Sequence, residues 1–352
     1  MSKDHENIFG RRLSQARQIK GLSMEELGSQ LIPAVTRQAI NKYEKGQTMP
    51  DSRMLLAFGS VLGVKPDYFF RPFTVEVDRV MFRKDAKFPE KKSIAIRERV
   101  REELERYLEV EQLCGTQSGV SLPSVNISSA EDVTGYAAKL RSILKLGIDG
   151  ISNVIEVLED NGIKVIEISE DDSFEGLSGY ANDNIPVIVV NDNLTPERKR
   201  FALLHELGHL LMRFKGDMKA KEVENLCNIF ASELLLPSSV LLSRIGIKRH
   251  DISLAELSDL QKQYGISIDA IMEAMRRLDV ITDRRYDRYL KKKHSFPDFK
   301  AVVEQSMAIP ETTGRFVRMV YRALADEIIS FSKAAALLNT SVETVKRRLI
   351  LI

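Results

Sequence analysis

His205, Glu206 and His209 stand within five positions of one another in "RFALLHELGHLLMRF" (200–214), a stretch otherwise dominated by apolar residues. On an α-helix, residues four apart lie on one face, so the two imidazoles point together and can share a metal ion. Glu206, one position on, stands beside them, placed to hold and deprotonate a water. This is the H-E-x-x-H spacing of zinc hydrolases. Phe201, Leu203, Leu204, Leu207, Leu210 and Leu211 predict a helix buried on most sides. Neutral imidazoles set in such a wall need partners, because unpaired buried polar groups are costly. The bland alternative is a pair of histidines bonded to main-chain carbonyls. Against it, two of the chain's five histidines fall at this one spacing.

A catalytic zinc takes three protein ligands and keeps one position open. The next helical stretch, "KEVENLCNIFASELLL" (221–236), has an apolar stripe of Val223, Cys227, Phe230, Ala231 and Leu234. At 100° per residue Glu224 falls inside that stripe, whereas Glu222 and Glu233 fall outside it. Glu224 is therefore the expected third ligand, and Asn228, one turn later, a candidate to hydrogen-bond a ligand from behind. The elements that position these helices are legible around them. "IKVIEI" (163–168), "GLSGYA" (176–181) and "PVIVVND" (186–192) read as strands, and the last is the expected edge for an extended substrate peptide. Helices are expected at "SAEDVTGYAAKLRSIL" and "GISNVIEVLEDNG", the latter stopped by Gly162. Thr195 is the expected cap, with Pro196 at the first helical position, for a helix running through residue 214.

"ERKRFALLHELGHLLM" followed by "VENLCNIFASELLLP" resembles the ImmA/IrrE-type metallopeptidase domain. "GISNVIEVLEDNGIKVIEI" and "IPVIVVNDN" are similar to that family's upstream helix and strands. The resemblance covers roughly residues 130–280. It implies a zinc-dependent (Zn2+) endopeptidase with His205, His209 and Glu224 as metal ligands and Glu206 as the catalytic base. One departure is Cys227, where many relatives have Ala; packing is its expected role.

In the first seventy residues short helical patterns alternate with caps and glycine stops. "LSMEELGSQL…VTRQAINKYEKG" has the two-helix spacing of a helix-turn-helix, with Leu27, Val35 and Ile40 as buried anchors. Thr36, Arg37, Gln38, Asn41 and Lys42 occupy the start and outer face of the second helix, as candidate DNA contacts. Arg and Gln can read guanine and adenine edges, and Lys and Thr suit bases or phosphates. Residues 1–73 hold eleven Lys/Arg against seven Asp/Glu, an excess of the right sign. The stretch resembles phage-repressor (XRE-type) DNA-binding domains. Met24 stands where relatives usually have a phosphate-holding Gln, and "IPA" (32–34) lengthens the turn.

The rest of the chain bounds these modules. With 352 residues, two or three domains are expected. A net charge of +2 excludes a global polyelectrolyte role, so a nucleic-acid surface must be local. Two cysteines exclude a disulfide framework and suit a reducing cytosol. No apolar run of eighteen occurs and the N-terminus lacks a signal core, so a cytoplasmic protein away from membranes is expected. The expected fold class is α+β and mostly helical, in four parts. A helix-turn-helix domain spans 1–73, and a solvated connector helix with a linker 74–129. A zincin-like domain with a small β-sheet spans 130–280, and a helical region 281–352. Within the last, "SFSKAAALLNTSVETVKRRL" (330–349) reads as helix, capped turn, helix, taken as a structural tail.

Together the modules imply a transcriptional regulator that binds a double-stranded DNA operator and cleaves a repressor or antitoxin in a stress or mobile-element response. A second copy of the chain is a candidate partner. The rival expectation is a non-catalytic sensor or antitoxin-like regulator that uses the peptidase fold only to bind a ligand or partner.

Overall fold

The computed structural model describes residues 7–75, 90–116, 122–171, 173–182 and 184–349. Residues 76–89 of the expected connector, and 117–121 of the expected linker, lie outside them.

Cap chemistry cuts the N-terminal chain into α1 (Ile8–Ile19), α2 (Met24–Gln30), α3 (Arg37–Glu44) and α4 (Ser52–Leu62), followed by a 3-10 turn at Pro66–Phe70. Ser23 and Glu26 close a reciprocal capping box on α2, and the Thr36 and Asp51 side chains cap α3 and α4. Leu13, Leu27, Ile40, Phe58 and Phe69 fill the core between them, with Met24 and Val35 packed against it. A Cβ on Gly28 would stand 2.3 Å from the Val35 carbonyl oxygen. Only glycine lets α2 approach the turn this closely.

α5 (Glu90–Leu113) is not the solvated connector expected from its charge density. Ile96, Val100 and Leu104 form an apolar stripe, buried against Ile166, Ile168 and Val189. Its charged faces, however, are covered too. Arg12 of α1 is buried against it, 2.7 Å from Glu105 and stacked 3.8 Å from the Phe73 ring. Lys164 lies 2.6 Å from Glu111, which Arg315 also engages. These partners come from distant segments, which helical periodicity cannot reveal.

Beyond α5 follow β1 (Val125–Ile127), α6 (Ala130–Ile143), α7 (Val154–Asp160), β2 (Lys164–Ile168), β3 (Gly176–Ala181) and β4 (Ile185–Asn191). Next come α8 (Pro196–Leu211), β5 (Met212–Phe214), α9 (Ala220–Leu235), α10 (Ser238–Ile245), α11 (Leu254–Tyr264) and α12 (Ile268–Arg277). The sheet has the order β2-β4-β3, with β2 parallel and β3 antiparallel to β4. Two short strands lie outside the sequence expectations. Helix α8 stops at Leu211, and "MRF" pairs in parallel with β1, which falls within the expected linker. Strands of three residues carry too little periodicity to be seen.

The C-terminal chain forms α13 (Asp283–Ser295), α14 (Pro297–Glu304), α15 (Arg315–Ala325), α16 (Phe331–Leu337) and α17 (Val342–Arg348). Tyr289 and Val303 join the core built around α6, α8 and α9, whereas α15–α17 pack with Tyr107 and Val110 of α5. Among the described residues no single helix is long and apolar enough to cross a membrane.

Glu159 gives the fold a testable pH dependence. It is buried and accepts a 3.0 Å hydrogen bond from Tyr107, and desolvation raises its pKa to about 7, against the lowering effects of Tyr107, Arg315 and Lys164. The folded-state value lies above the unfolded one. The neutral carboxyl is therefore best tolerated below about pH 4.5, and stability is lost as pH rises through 7. Glu159→Gln should raise the thermal midpoint at pH 8, by up to about 3 kcal/mol in stability at 1.36 kcal/mol per pKa unit, and change little at pH 4. Thermal melts at the two pH values check this.

Candidate metal centre

The first turn of α8 is clamped before any site residue is reached. Pro196 occupies its first helical position, but the Thr195 side chain makes no cap bond, contrary to expectation. Buried charges anchor the helix instead. Glu197 accepts from Gln261, Ser306 and the Met307 and Ala308 N–H groups. Lys199 pairs with Glu167 at 2.7 Å. Arg200 is ion-paired to buried Glu311 and donates to the Ile151 carbonyl at 2.6 Å. Sequence reasoning missed Glu197, Arg200 and Glu311 as positioning residues; the signal for the first two was charge inside an otherwise buried helix, and Glu311, in the segment between α14 and α15, had none.

Two turns on, α8 crosses α9 at Gly208. A Cβ there would meet Phe230 Cδ1 at 3.1 Å and Cys227 Sγ at 3.4 Å. That close approach brings Glu224 to the two histidines. His205 Nε2 and His209 Nε2 are 3.0 Å apart, and the two Glu224 oxygens lie 3.1 Å from the first and 3.4 Å from the second. With metal–ligand distances of about 2.0–2.2 Å, a tetrahedral site has donor–donor edges of roughly 3.3–3.5 Å. The observed triangle is close to that size, so the donors present fit a small divalent cation. Among the described residues, this trio is the group of His, Cys, Asp and Glu side chains found converging in this way. The local field agrees. Burial disfavours a charged His205, yet Glu224, Glu206 and Asn228 outweigh it and raise the pKa above the ordinary histidine value. The site favours positive charge.

Each ligand candidate is held from behind. Asn228 Oδ1 lies 2.8 Å from His205 Nδ1, the contact expected of it. Cys227 is fully buried as expected of a packing residue, but its Sγ also lies 3.1 Å from His209 Nδ1. Glu206 points to β3, where its Oε2 accepts a 2.7 Å hydrogen bond from Ser178. Gly176, Ser178 and Tyr180 share one face of β3. A Cβ on Gly176 would lie 3.4 Å from Glu206 Cγ, and the Tyr180 hydroxyl donates to the Leu210 carbonyl at 3.2 Å.

Three expectations need correction. Glu224 lies in the apolar stripe by angle, yet its side chain is 44% exposed because it faces the open side of the centre. Glu233, placed outside the stripe, is buried, because Arg277 supplies a counter-charge at 2.7 Å and the Ser238 N–H donates to it. Finally, β4 offers no edge, since β2 and β3 pair with both of its sides. Among the described residues β3 pairs only with β4, which leaves its outer edge without a strand partner beside the face that carries Ser178 to Glu206.

Thr36, Arg37, Gln38 and Lys42 are exposed on α3, and Asn41 is half-buried. Met24 turns toward the core rather than outward.

Comparison with known proteins matches both regions. Residues 158–276 match the family model described as IrrE N-terminal-like domain, and residues 13–69 match a helix-turn-helix model. The chain is similar to the radiation response metalloprotease IrrE of Deinococcus deserti, 30% identical over 106 residues covering 27% of this chain and 32% of that protein. It is 28% identical over 101 residues to its namesake in Deinococcus radiodurans, covering 25% and 30%. It is also similar to an SPbeta prophage-derived uncharacterized HTH-type transcriptional regulator, YonR, of Bacillus subtilis, 34% identical over 71 residues covering 20% and 64%. The matched stretch spans about a third of the length of the two IrrE relatives.

Zinc titration followed by metal analysis should show one tightly held ion per chain, absent from His209→Ala. Asn228→Ala should keep the ion with affinity reduced about 10- to 100-fold, the usual effect of removing a partner behind a ligand. Chelator competition measures that ratio, and an unchanged value would show that Asn228 only decorates the helix.

Proposed function

We propose that this chain, in which a helix-turn-helix domain is joined to an IrrE-like metallopeptidase domain, is a DNA-binding transcriptional regulator whose zinc endopeptidase activity cleaves a repressor or antitoxin protein. The observation that carries the catalytic half is the convergence of His205, His209 and Glu224 beside a carboxylate, Glu206, that is not one of the three.

In this reading His205 and His209 bind zinc through Nε2 and Glu224 through a carboxylate oxygen. When bound, zinc supplies Lewis-acid activation of a water and of the scissile carbonyl. The protein's own groups do the rest. Glu206 removes a proton from the attacking water and delivers it to the departing amine nitrogen. Ser178 donates to Glu206 Oε2 and so holds the carboxylate in place for that transfer. Asn228 and Cys227 hold the two imidazole rings through their Nδ1 atoms. The outer edge of β3 takes an extended segment of the substrate as an added strand, main chain to main chain. That mode selects flexible polypeptide over folded protein, which suits an exposed loop or linker in a repressor.

At the other end, Thr36, Arg37, Gln38, Asn41 and Lys42 contact an operator, with Arg37 and Gln38 placed to read base edges. The prophage origin in YonR's name and the radiation response in IrrE's support a setting in which genes are released under stress.

Two experiments test the halves separately. Glu206→Gln should retain bound zinc and fold, yet lose cleavage of repressors encoded beside its own gene by about 10²–10⁴-fold, the range for removing a general base. Zinc retained with no cleavage by the unaltered protein of any such repressor would return the rival, a non-catalytic sensor. Arg37→Ala should weaken operator binding by about 1–3 kcal/mol, if Arg37 pairs with a guanine, and relax selection at one base pair. Binding assays on single-base operator variants read both effects.

A further inference from the structure

The C-terminal α16–α17 unit shares with α2–α3 a small buried residue on the first helix, a side-chain cap on the second and a buried apolar residue four positions after that cap. In the N-terminal pair, the Val35 N–H donates to the Gly28 carbonyl at 3.0 Å. Thr36 then caps α3, and Ile40, four positions after the cap, is fully buried. In the C-terminal pair, the Thr340 N–H donates to the Ala335 carbonyl at 2.9 Å. Ser341 then caps α17, and Val345, four positions after the cap, is fully buried. Gly28 and Ala335 are both small and buried, each on the first helix of its pair. The turn in the second unit is shorter by two residues, because no counterpart of Ile32-Pro33 is present and Asn339 reverses the chain at φ 48°. A small residue, a cap and a buried anchor are common to both units and help to set two helices across one another in a DNA-reading helix-turn-helix, whereas the left-handed turn position belongs to the second unit.

The same register assigns the outer face. Lys346 and Arg347 take the places that Asn41 and Lys42 occupy in α3, and Glu343 takes that of Gln38. Lys346, Arg347, Arg348, Glu343 and Ser341 are all exposed. Residues 330–349 hold four Lys/Arg against one Asp/Glu, and of the four only Lys333 is tied down by a carboxylate among the described residues, Glu109. Three exposed cations therefore stand in the last turn of one short helix whose Val345 is buried, with Lys346 Nζ 5.7 Å from the Phe331 ring. The helix dipole favours cations there, and their exposure leaves all three open to an anionic backbone.

We propose that α16–α17 is a second DNA-binding unit, with α17 as the helix that enters the groove and Lys346, Arg347 and Arg348 contacting duplex backbone or base edges. Glu343 stands where it can accept from a cytosine amino group. The unit is mounted on the same rod as the first domain. Arg12 and Gln15 of α1 bond to Glu105 and to the Glu98 carbonyl of α5, and Arg106 of α5 donates to the Leu337 carbonyl at the end of α16. One rigid helix thus fixes the two reading helices relative to each other, so a single chain engages two segments of one duplex.

The test uses the full-length chain and a 40-bp duplex selected from random sequence by that chain, with hydroxyl-radical footprinting and a salt titration. The inference predicts two protected segments. Lys346→Ala/Arg347→Ala/Arg348→Ala should abolish one and keep the other, while Arg37→Ala/Gln38→Ala should do the reverse. The slope of log affinity against log salt should fall by about 2–3 in the triple variant, since each phosphate no longer neutralised removes about 0.9. The substituted side chains are exposed, and unchanged zinc content and thermal midpoint confirm an intact fold. A footprint and slope unaffected by the triple substitution would overturn the proposal and leave the face to a protein partner. Loss of the α3 segment alone in the Arg37→Ala/Gln38→Ala variant keeps the two DNA readings separately testable.

Discussion

The close crossing of α8 and α9 at Gly208 is the constraint on which the candidate centre depends. Two histidines on one helix can meet without help, since four residues make one turn. A third donor must come from elsewhere, and it reaches them where the second helix packs its side chains against Gly208. Gly208 leaves that space, and Cys227 and Phe230 fill it from the other side. A Cβ at 208 would press on the Phe230 ring and the Cys227 sulfur of the helix that carries Glu224.

That crossing is itself held by charges at the far end of α8. Glu197, Lys199 and Arg200 are buried and tied to residues from α11, β2 and the segment around Glu311. Buried ion pairs contribute little net stability, because desolvation offsets most of their attraction. Their value here is geometric: each has one set of partners, so α8 has one position. The same logic governs α5, where Arg12–Glu105 and Lys164–Glu111 fix the helix between the N-terminal domain, the sheet and the C-terminal helices. The helix-turn-helix domain and the domain that holds the candidate centre thus both pack against α5.

Much of the centre was legible in the residues themselves. Helical spacing was enough to pair His205 with His209, and the angular position of Glu224 on the next helix picked it out over Glu222 and Glu233. Asn228 followed from being one turn beyond Glu224. The caps at Ser23, Thr36 and Asp51 act on backbone N–H groups only three residues away and lie within reach of local reading, whereas Thr195 makes no such bond. Ser178 was not legible as the partner of Glu206: a serine in a half-buried strand has no distinguishing pattern, and its role exists only because β3 lies across α8.

The amino-acid sequence by itself determined the local events, namely where helices begin, which face each one buries, and which side chains share a turn. These follow from periodicity and capping, interactions that span at most four or five residues. Tertiary structure decided which strand offers a free edge, which charges on α5 and α9 are buried, and that β1 and β5 exist at all. Each of these turns on a partner tens to hundreds of residues away, such as Arg277 for Glu233 or Lys164 for Glu111. A charge reads as solvent-facing until the chain supplies its opposite, and only the folded chain shows where that opposite lies.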